Sequence, residues 1–302
     1  MGTPAFASNI LEGLFKQGYH IVAVVSQPDK IFGRKKELKA SEVKEKAIEL
    51  SIPVLNPNKI REEYDEVLSY EPDLIITAAY GQFIPEAVLN YPKYGCINAH
   101  GSLLPKYRGG APIQRAIING EKKTGITIQY MAKKMDQGDI LASESIDIDI
   151  HDTNSTMFEK LSDLALNMLI DLLPKLFDGD INPVKQNEDE ATYAWNLEKE
   201  IEHITFDDDV RKVYDHIRGL LDNPGAYFIC KGKKFKMEKV FFEEKEDCDP
   251  CVFKGLEQDY LKIDCNNGFI KVYTIRPEGK NSMDAKAFYN GAGRNMAGET
   301  LE

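Results

Sequence analysis

Residues 95–114 read Gly-Cys-Ile-Asn-Ala-His-Gly-Ser-Leu-Leu-Pro-Lys-Tyr-Arg-Gly-Gly-Ala-Pro-Ile-Gln, an apolar run with two polar residues before a glycine. Asn98 and His100 are two positions apart, so a strand over residues 96–100 would project both side chains from one face. Ligands of parallel α/β sheets bind beyond the carboxyl ends of the strands. We therefore expect a site for one substrate where this strand ends.

Around this stretch, the first 180 residues alternate short apolar runs with helical patterns, which is typical of βαβ units. The predicted strands cover residues 21–26, 53–55, 74–79, 96–100, 125–131 and 140–148. An amphipathic helix is predicted over residues 153–173, with Pro174 as its stop or kink. The expected fold class is α/β, with a Rossmann-like, mostly parallel sheet.

The beginning of the sequence predicts a helix, with Thr3 as its N-cap and Pro4 at its first position. A parallel α/β domain usually opens with a buried strand, and Gly2-Thr3-Pro4 has the character of the turn after one. We therefore expect this sheet to lack its first strand.

A second unit follows a polar, turn-rich segment over residues 178–190. One helix is predicted over residues 207–220, and the predicted strands cover residues 226–230, 235–242, 260–265 and 269–275. Hairpin-turn residues at 231–233 and 266–268 favour an antiparallel arrangement. We expect a first domain over residues 1–180, a linker over 181–196 and a C-terminal OB-like β-barrel over 197–302.

The formal charge of −11 argues against binding nucleic acid over the whole surface. The average hides two basic islands: residues 30–46 hold seven bases and three acids, and residues 231–240 hold five lysines and one acid. From charge alone, each island is more typical of a solvated loop or a hairpin turn than of a binding surface. A local contact with nucleic acid nevertheless stays open.

Other features of the composition exclude several classes of protein. The hydrophobic fraction of 42% is that of a folded chain, and its apolar runs are too short for a membrane span. The first residues do not resemble a secretion signal. The five cysteines include one Cys-x-x-Cys, Cys248 to Cys251, without the partners of a zinc site. We expect a cytoplasmic protein with reduced thiols, no metal and no membrane partner.

Asp136 follows His100 by 36 positions, between two predicted strands. Taken singly, His100 is typical of a hydrogen-bonded core or surface residue, Asn98 of a turn cap, and residues 136–139 of a hairpin turn. Together they supply a hydrogen-bond donor, an acid or base and an anionic orienter. Those are the groups that acyl transfer through a tetrahedral oxyanion requires.

Ordered motifs along nearly the whole sequence carry a family resemblance. They are Gly2-Thr-Pro-Ala-Phe-Ala, Ser26-Gln-Pro-Asp, Gly33-Arg-Lys, Ala79-Tyr-Gly-Gln, Asn98-Ala-His-Gly-Ser-Leu-Leu-Pro, Arg108-Gly-Gly-Ala-Pro-Ile-Gln-Arg, Thr124-Gly-Ile-Thr and Met135-Asp-Gln-Gly-Asp-Ile-Leu. With these motifs at this spacing, the sequence resembles the folate-dependent formyltransferases. Relatives carry a strand before Gly-Thr-Pro, which agrees with the missing first strand expected above.

The resemblance implies a fold, a reaction and a set of roles. Asn98, His100 and Asp136 would be the catalytic trio, with Asp136 holding the imidazole and favouring its charged form. The loop of Ser102, Leu103, Leu104 and Pro105 would help to hold 10-formyltetrahydrofolate as the formyl donor.

The resemblance also implies an acceptor. It points to the branch of the family that formylates methionyl-initiator tRNA for translation initiation, acting as a monomer. Arg34, Lys35 and Lys36 would contact the tRNA acceptor end, and the lysines at 231–239 would meet phosphates farther along the tRNA.

Two alternatives stay open at this point. A related enzyme could transfer formyl to a sugar nucleotide, and an inactive member of the fold could bind RNA or a nucleotide. A dinucleotide cofactor is not expected, because no Gly-x-Gly-x-x-Gly follows a predicted strand.

Overall fold

The computed structural model describes residues 1–32 and 37–302. Two compact units divide the chain. The first comprises Met1–Pro112, Lys123–Asp147 and Phe158–Trp195, and the second comprises Ile113–Lys122, Ile148–Met157 and Asn196–Glu302. In the part of the chain that the structure describes, no helix is both long and apolar enough to span a bilayer.

The strands of the first unit are short apolar segments separated by helices and turns. They are β1 (Val24–Val25), β2 (Lys30–Phe32), β3 (Glu37–Lys39), β4 (Val54–Leu55), β5 (Ile75–Thr77), β6 (Cys96–His100), β7 (Lys123–Tyr130) and β8 (Ile140–Asp147). The β2 and β3 strands pair as a hairpin, whose connecting residues 33–36 lie outside the described residues. This connection contains the predicted tRNA contacts Arg34, Lys35 and Lys36.

The sheet that carries the site has the order β5-β6-β7-β8. The β5 and β6 strands are parallel, as are β1 and β4, but β7 is antiparallel to both β6 and β8. The expectation of a mostly parallel sheet is therefore corrected to a mixed sheet. Residues 131–139 join β7 directly to β8 as a hairpin, and such a connection requires these two strands to be antiparallel.

A cavity of about 490 Å³ lies between β1 and β5, lined mainly by apolar side chains. Met1 and Gly2 are among the residues that line it. Gly2 N donates to Val25 O at 3.0 Å, and Ala78 N donates to Met1 O at 3.0 Å. These two residues thus reach both flanking strands, and Asn98, His100 and Asp136 do not line the cavity.

The helices of the first half are α1 (Ala5–Lys16), α2 (Glu42–Glu49), α3 (Asp65–Leu68), α4 (Glu86–Leu89), α5 (Pro112–Ile118) and α6 (Asn154–Asp178). The predicted start of α1 was wrong by one residue: Pro4 is the N-cap, because the Thr3 hydroxyl instead donates to Tyr80 O at 3.0 Å. Pro174 lies inside α6 and does not stop it. Buried Leu169, Leu173 and Leu176 pack this last part of the helix, which offsets the lost backbone bond.

In the second unit, α7 (Val210–Leu220) is capped by the Asp209 side chain, which accepts from Arg211 N at 2.9 Å. Its later elements are β9 (Ala226–Cys230), β10 (Lys233–Glu244), β11 (Phe253–Glu257), β12 (Tyr260–Cys265), β13 (Gly268–Pro277), β14 (Met283–Asp284) and α8 (Ala285–Asn290). The sequence analysis did not predict β11, β14 or α8. Short 3-10 helices cover Glu188–Glu190, Lys199–Glu202 and Gly293–Met296.

These strands form one antiparallel sheet in the order β11-β12-β13-β10-β9, with β14 on β13. Lys231 and Asn267, in the two predicted turns, adopt positive φ as tight hairpins require. No strand pairing between β9 and β11 is found among the described residues. The pairings therefore establish a C-terminal antiparallel β domain, with α7 packed on β10 and β13.

Candidate active site

The sheet register places three polar side chains in one row at the end of β6. Asn98 lies opposite Thr77 on β5 and opposite Gln129 on β7. Residues in register on neighbouring strands project to the same face of a sheet. The row therefore forms the floor of a polar site, with His100 two residues farther along β6.

Asp136 reaches this row from the turn between β7 and β8, with φ at +53°. Its Oδ2 accepts from Gly109 N at 2.9 Å, and its Oδ1 accepts from Gln129 Nε2 at 3.1 Å. Gly138 follows in the same turn, where an added Cβ would overlap Tyr130 O. The turn can approach the strand this closely because residue 138 has no side chain.

His100 is held at both ring nitrogens. Nε2 lies 2.9 Å from Tyr107 O, and since a carbonyl only accepts, Nε2 donates that hydrogen bond. Nδ1 lies 3.7 Å from Asp136 Oδ2, with the two side chains only 6% and 14% exposed. The predicted pair is thus brought together, with Nδ1 as the ring nitrogen that faces the carboxylate.

The orientation of Asn98 is set by Thr77. The Thr77 hydroxyl donates to Asn98 Oδ1 at 2.8 Å. Because the amide oxygen is engaged there, the amide nitrogen is the end that points away from β5. Thr77 was not predicted as a site residue, although its place near the end of a predicted strand is the signal that a sheet alignment would use.

A polar network that includes the buried Gln129 holds the turn of Asp136 in place. Gln186 Nε2 lies 3.0 Å from Gln129 Oε1, and 2.9 and 2.8 Å from the main-chain oxygens of Asp136 and Gly138. Gln129 is buried on β7 and Gln186 lies in the segment predicted as linker. Sequence reasoning missed both, since only the register and the hydrogen bonds bring them to Asp136.

Arg108 ties the same segment to the loop beside His100. Its side chain is fully buried and donates to both carboxylate oxygens of Glu188, at 2.9 and 2.8 Å, and to Gln186 Oε1. These hydrogen bonds raise the pKa of Arg108 and lower the pKa of the Glu188 carboxyl. A bidentate pair of this kind fixes position as well as charge.

The predicted folate loop folds back onto β7. Ser102 and Leu104 are buried, while Leu103 and Pro105 are partly exposed. Leu104 N donates to the Thr127 hydroxyl at 3.0 Å, and that hydroxyl donates to Ser102 O at 2.7 Å. The loop is therefore anchored by Thr127, and it offers Leu103 and Pro105 as its partly accessible apolar side chains.

The second basic island, Lys231, Lys233, Lys234, Lys236 and Lys239, is named here the lysine ribbon. Lys233, Lys234 and Lys239 are exposed. The other two are tied to the protein, because Lys231 pairs with Glu299 at 2.9 Å and Lys236 donates to Pro224 O at 3.0 Å. Four of the five cations are thus exposed to solvent, and Lys231 is one of them although it is ion-paired.

The predicted reduced thiols are free cysteines in the structure, including Cys248 and Cys251. Among the described residues, no group of three or more His, Cys, Asp or Glu side chains is arranged to hold a metal ion. Burial raises the pKa of the Cys248 thiol. The Cys-x-x-Cys segment contributes nothing to the site built around His100.

Comparison with known proteins places this geometry in a class. Residues 1–173 match the formyl transferase family, and residues 196–293 match the formyl transferase C-terminal domain. The chain belongs to the formyl transferase family. The methionyl-tRNA formyltransferase of Geobacillus sp. (strain WCH70) is 45% identical over 302 residues, covering 98% of this chain and 94% of that protein.

Solved structures share the fold. The N-formyltransferase of Helicobacter canadensis, in complex with folinic acid and dTDP-3-aminofucose, has a TM-score of 0.68 at 21% identity, covering 90% of this chain and 96% of its own. At that identity the likeness concerns the fold alone. The methionyl-tRNA formyltransferase from Clostridium thermocellum is 27% identical, with a TM-score of 0.54 over 64% of this chain and 82% of its own.

Proposed function

We infer that this chain transfers the formyl group of 10-formyltetrahydrofolate to the α-amine of methionyl-initiator tRNA, giving N-formylmethionyl-tRNA for translation initiation. The observation that carries this inference is the His100–Asp136 pair beside Asn98 at the carboxyl end of β6. The 45% identity with a methionyl-tRNA formyltransferase over nearly the whole chain supports the choice of acceptor.

In this proposal the free amine of methionine attacks the formyl carbon on folate N10. A new carbon–nitrogen bond forms, and the electron pair of the carbonyl moves to its oxygen. When the oxyanion collapses, the bond to N10 breaks, N10 takes a proton, and the attacking nitrogen loses one. Tetrahydrofolate and the formylated amine leave, so atoms and charge balance.

The oxyanion is the group that this chain has to stabilise. Asn98 supplies its amide nitrogen, which Thr77 turns away from β5 by holding the amide oxygen. His100 supplies Nδ1, because Nε2 is committed to Tyr107 O. A proton on Nδ1 would lie between the oxyanion and the Asp136 carboxylate, which balances the charge of the ring.

Two hydrogen bonds from the protein fix the position of the Asp136 carboxylate. Gly109 N and Gln129 Nε2 each donate to one of its oxygens, so the carboxylate is fixed before substrate arrives. Preorganisation of this kind avoids reorientation during the reaction. We assign Asp136 the role of orienting His100 and stabilising its charged form.

The same inference assigns residues to the folate and tRNA contacts. Ser102, Leu103, Leu104 and Pro105 would line the donor site, with Leu103 and Pro105 against the folate. Arg34, Lys35 and Lys36 would contact the acceptor end of the tRNA, and the lysine ribbon would meet phosphates farther away. We propose a catalytic domain over residues 1–180, a linker over 181–196 and a tRNA-binding, OB-like barrel over 197–302, acting as a monomer in the cytoplasm.

A sugar nucleotide is the second candidate acceptor, and the shared fold with the Helicobacter canadensis N-formyltransferase is what favours it. The deciding experiment offers the purified protein 10-formyltetrahydrofolate with either methionyl-initiator tRNA or a dTDP-linked amino sugar. We expect formyl transfer to the tRNA only. Transfer to the amino sugar alone would select the other enzyme, and transfer to neither would indicate a binding protein on this fold.

A further inference from the structure

The segment that carries Tyr193 and Trp195 runs beside the loop of the candidate active site. Arg108 N donates to Thr192 O at 2.8 Å, Ala194 N donates to Arg108 O at 2.7 Å, and Ala111 N donates to Ala194 O at 3.1 Å. Gly109 permits this approach, since an added Cβ would lie 2.6 Å from Ala194 O and its φ is +125°. The segment is therefore fixed to residues 108–111.

The side chains of this segment alternate, as extended backbone requires. Ala194 is fully buried, whereas Tyr193 is 47% and Trp195 59% exposed. The two exposed rings are parallel to within 3°, with centroids 5.1 Å apart. A flat aromatic surface is thus presented outward on a rigid support, although exposing large apolar rings forgoes the stabilisation that burial would bring.

The same loop positions the trio. Tyr107 O accepts from His100, Gly109 N donates to Asp136, and Arg108 between them pairs with the Tyr193 segment. In the proposed function the reacting amine lies at Asn98 and His100, beside this loop. In an aminoacylated RNA, the first groups beyond the amino acid are the terminal ribose and its base.

We propose that Tyr193 and Trp195 form a stacking platform for the nucleobase at the aminoacylated end of the acceptor RNA. The proposal rests on the proposed function. Bases stack on exposed aromatic rings without regard to sequence, which suits an acceptor end recognised by position. A pterin ring of the donor is the other planar group in the reaction, and its binding here would be a distinct outcome of the test.

The sequence contains a single tryptophan, so the emission of Trp195 reports on this surface alone. We expect methionyl-initiator tRNA to quench that emission on binding. A tRNA that lacks its terminal nucleotide should bind with little quenching. Equal quenching by the two tRNAs would overturn the proposal, as would quenching by 10-formyltetrahydrofolate alone.

Kinetics give a second measurement. Trp195→Ala and Trp195→Leu should each raise KM for methionyl-initiator tRNA about ten-fold, because one stacked base is lost. Trp195→Phe should largely restore KM, and KM for the folate should not change in any of the three. Phe15→Ala, which removes an exposed ring on α1, is the matched control and should behave as the original chain.

The catalytic activity and the aromatic platform are tested by separate measurements. If the proposed function is wrong, the unaltered chain does not formylate methionyl-tRNA at all. If only the platform is wrong, the unaltered chain formylates methionyl-tRNA, but Trp195→Leu leaves its KM unchanged. A thermal unfolding midpoint equal to that of the unaltered chain shows that a raised KM reflects binding and not folding.

Discussion

The end of β6 and the lysine ribbon hold polar groups in opposite ways. At β6, His100 and Asp136 are nearly buried, and each has a protein partner at a defined atom. On the ribbon, Lys233, Lys234 and Lys239 are exposed, and Lys234 and Lys239 rest over the rings of Tyr227 and Tyr273. The end of β6 holds each polar side chain in one orientation, whereas the lysine ribbon exposes positive charge to solvent.

This difference predicts how each region responds to substitution. A group that stabilises an oxyanion acts through one direct hydrogen bond, so removing the group lowers kcat by the whole contribution of that bond. Exposed cations act additively through phosphate contacts and are screened by salt. A large effect of substitutions on the ribbon, or a small effect of substitutions at β6, would contradict this difference.

The largest effect is expected for Asn98→Ala and His100→Ala. Each should lower kcat about 10²- to 10³-fold, because each removes a donor to the oxyanion. Single-turnover formylation of methionyl-tRNA measures this directly. His20→Ala, at an exposed histidine of the same unit, is the control and should keep its activity. Near-normal turnover by Asn98→Ala or His100→Ala would refute the trio.

Asp136→Asn should come next, with kcat reduced about 10²-fold and both KM values little changed. The amide oxygen can still accept from Gly109 N, but the amide nitrogen then faces the donor Gln129 Nε2, and the group cannot balance a positive charge on His100. Circular dichroism should match that of the unaltered chain. A loss confined to KM would mean that Asp136 binds substrate and does not support His100.

Gln129→Met tests the support beneath the trio. The side chain is buried and similar in size to methionine, so the fold should persist while Asp136 Oδ1 loses its donor. We expect kcat to fall about ten-fold, less than for Asp136 itself, since Gly109 N still holds Oδ2. Gln129→Glu should be worse than Gln129→Met, because two carboxylates would then face each other. Equal activity of the two variants would contradict a positioning role.

The bounds of β6 and the order of Asn98, His100 and Asp136 along the chain could be predicted because the signals are local. Gly95 and Gly101 bracket the strand, and alternation puts both polar side chains on one face. Gln129 could not be found in this way. In the sequence it has the pattern of any other strand residue, and only the strand register and its hydrogen bond show that it lies beside Asn98 and Asp136.

Gln186 and Glu188 show a different limit. Their surroundings are polar and turn-rich, which predicts a linker. In the structure the segment instead accepts hydrogen bonds from Arg108, which is about 80 residues away in the sequence. The composition of a segment shows that it has too few apolar residues to form a core. It does not show which buried cation will donate hydrogen bonds to the segment. The same limit affected Pro174, whose local effect on α6 is offset by the leucines around it.

Neutralising the basic islands should have a smaller effect than the substitutions at β6. We expect Lys233, Lys234 and Lys239 changed together to Gln to raise KM for methionyl-tRNA a few-fold, with kcat unchanged. The slope of log KM against log salt should also decrease. Arg34, Lys35 and Lys36 changed to Gln should act in the same direction. Lys16, Lys160 and Lys175 changed to Gln alter the charge equally and are the control; an identical shift in that control would remove any specific role for the islands.

The smallest effect concerns His216 on α7, a partly buried histidine whose ring bonds a main-chain carbonyl. Its Nε2 donates to Ile201 O at 2.8 Å, and burial lowers its pKa from the ordinary value of 6.5. The folded state thus keeps the ring neutral, while the unfolded state takes up a proton near pH 6.5. The stability that results is fully present above that pH and is lost as the pH falls below it. The urea midpoint of the unaltered chain should therefore fall as the pH is lowered from 8 to 5, and that of His216→Gln should fall less steeply. Parallel profiles would show that burial of this ring does not contribute to the pH dependence of stability.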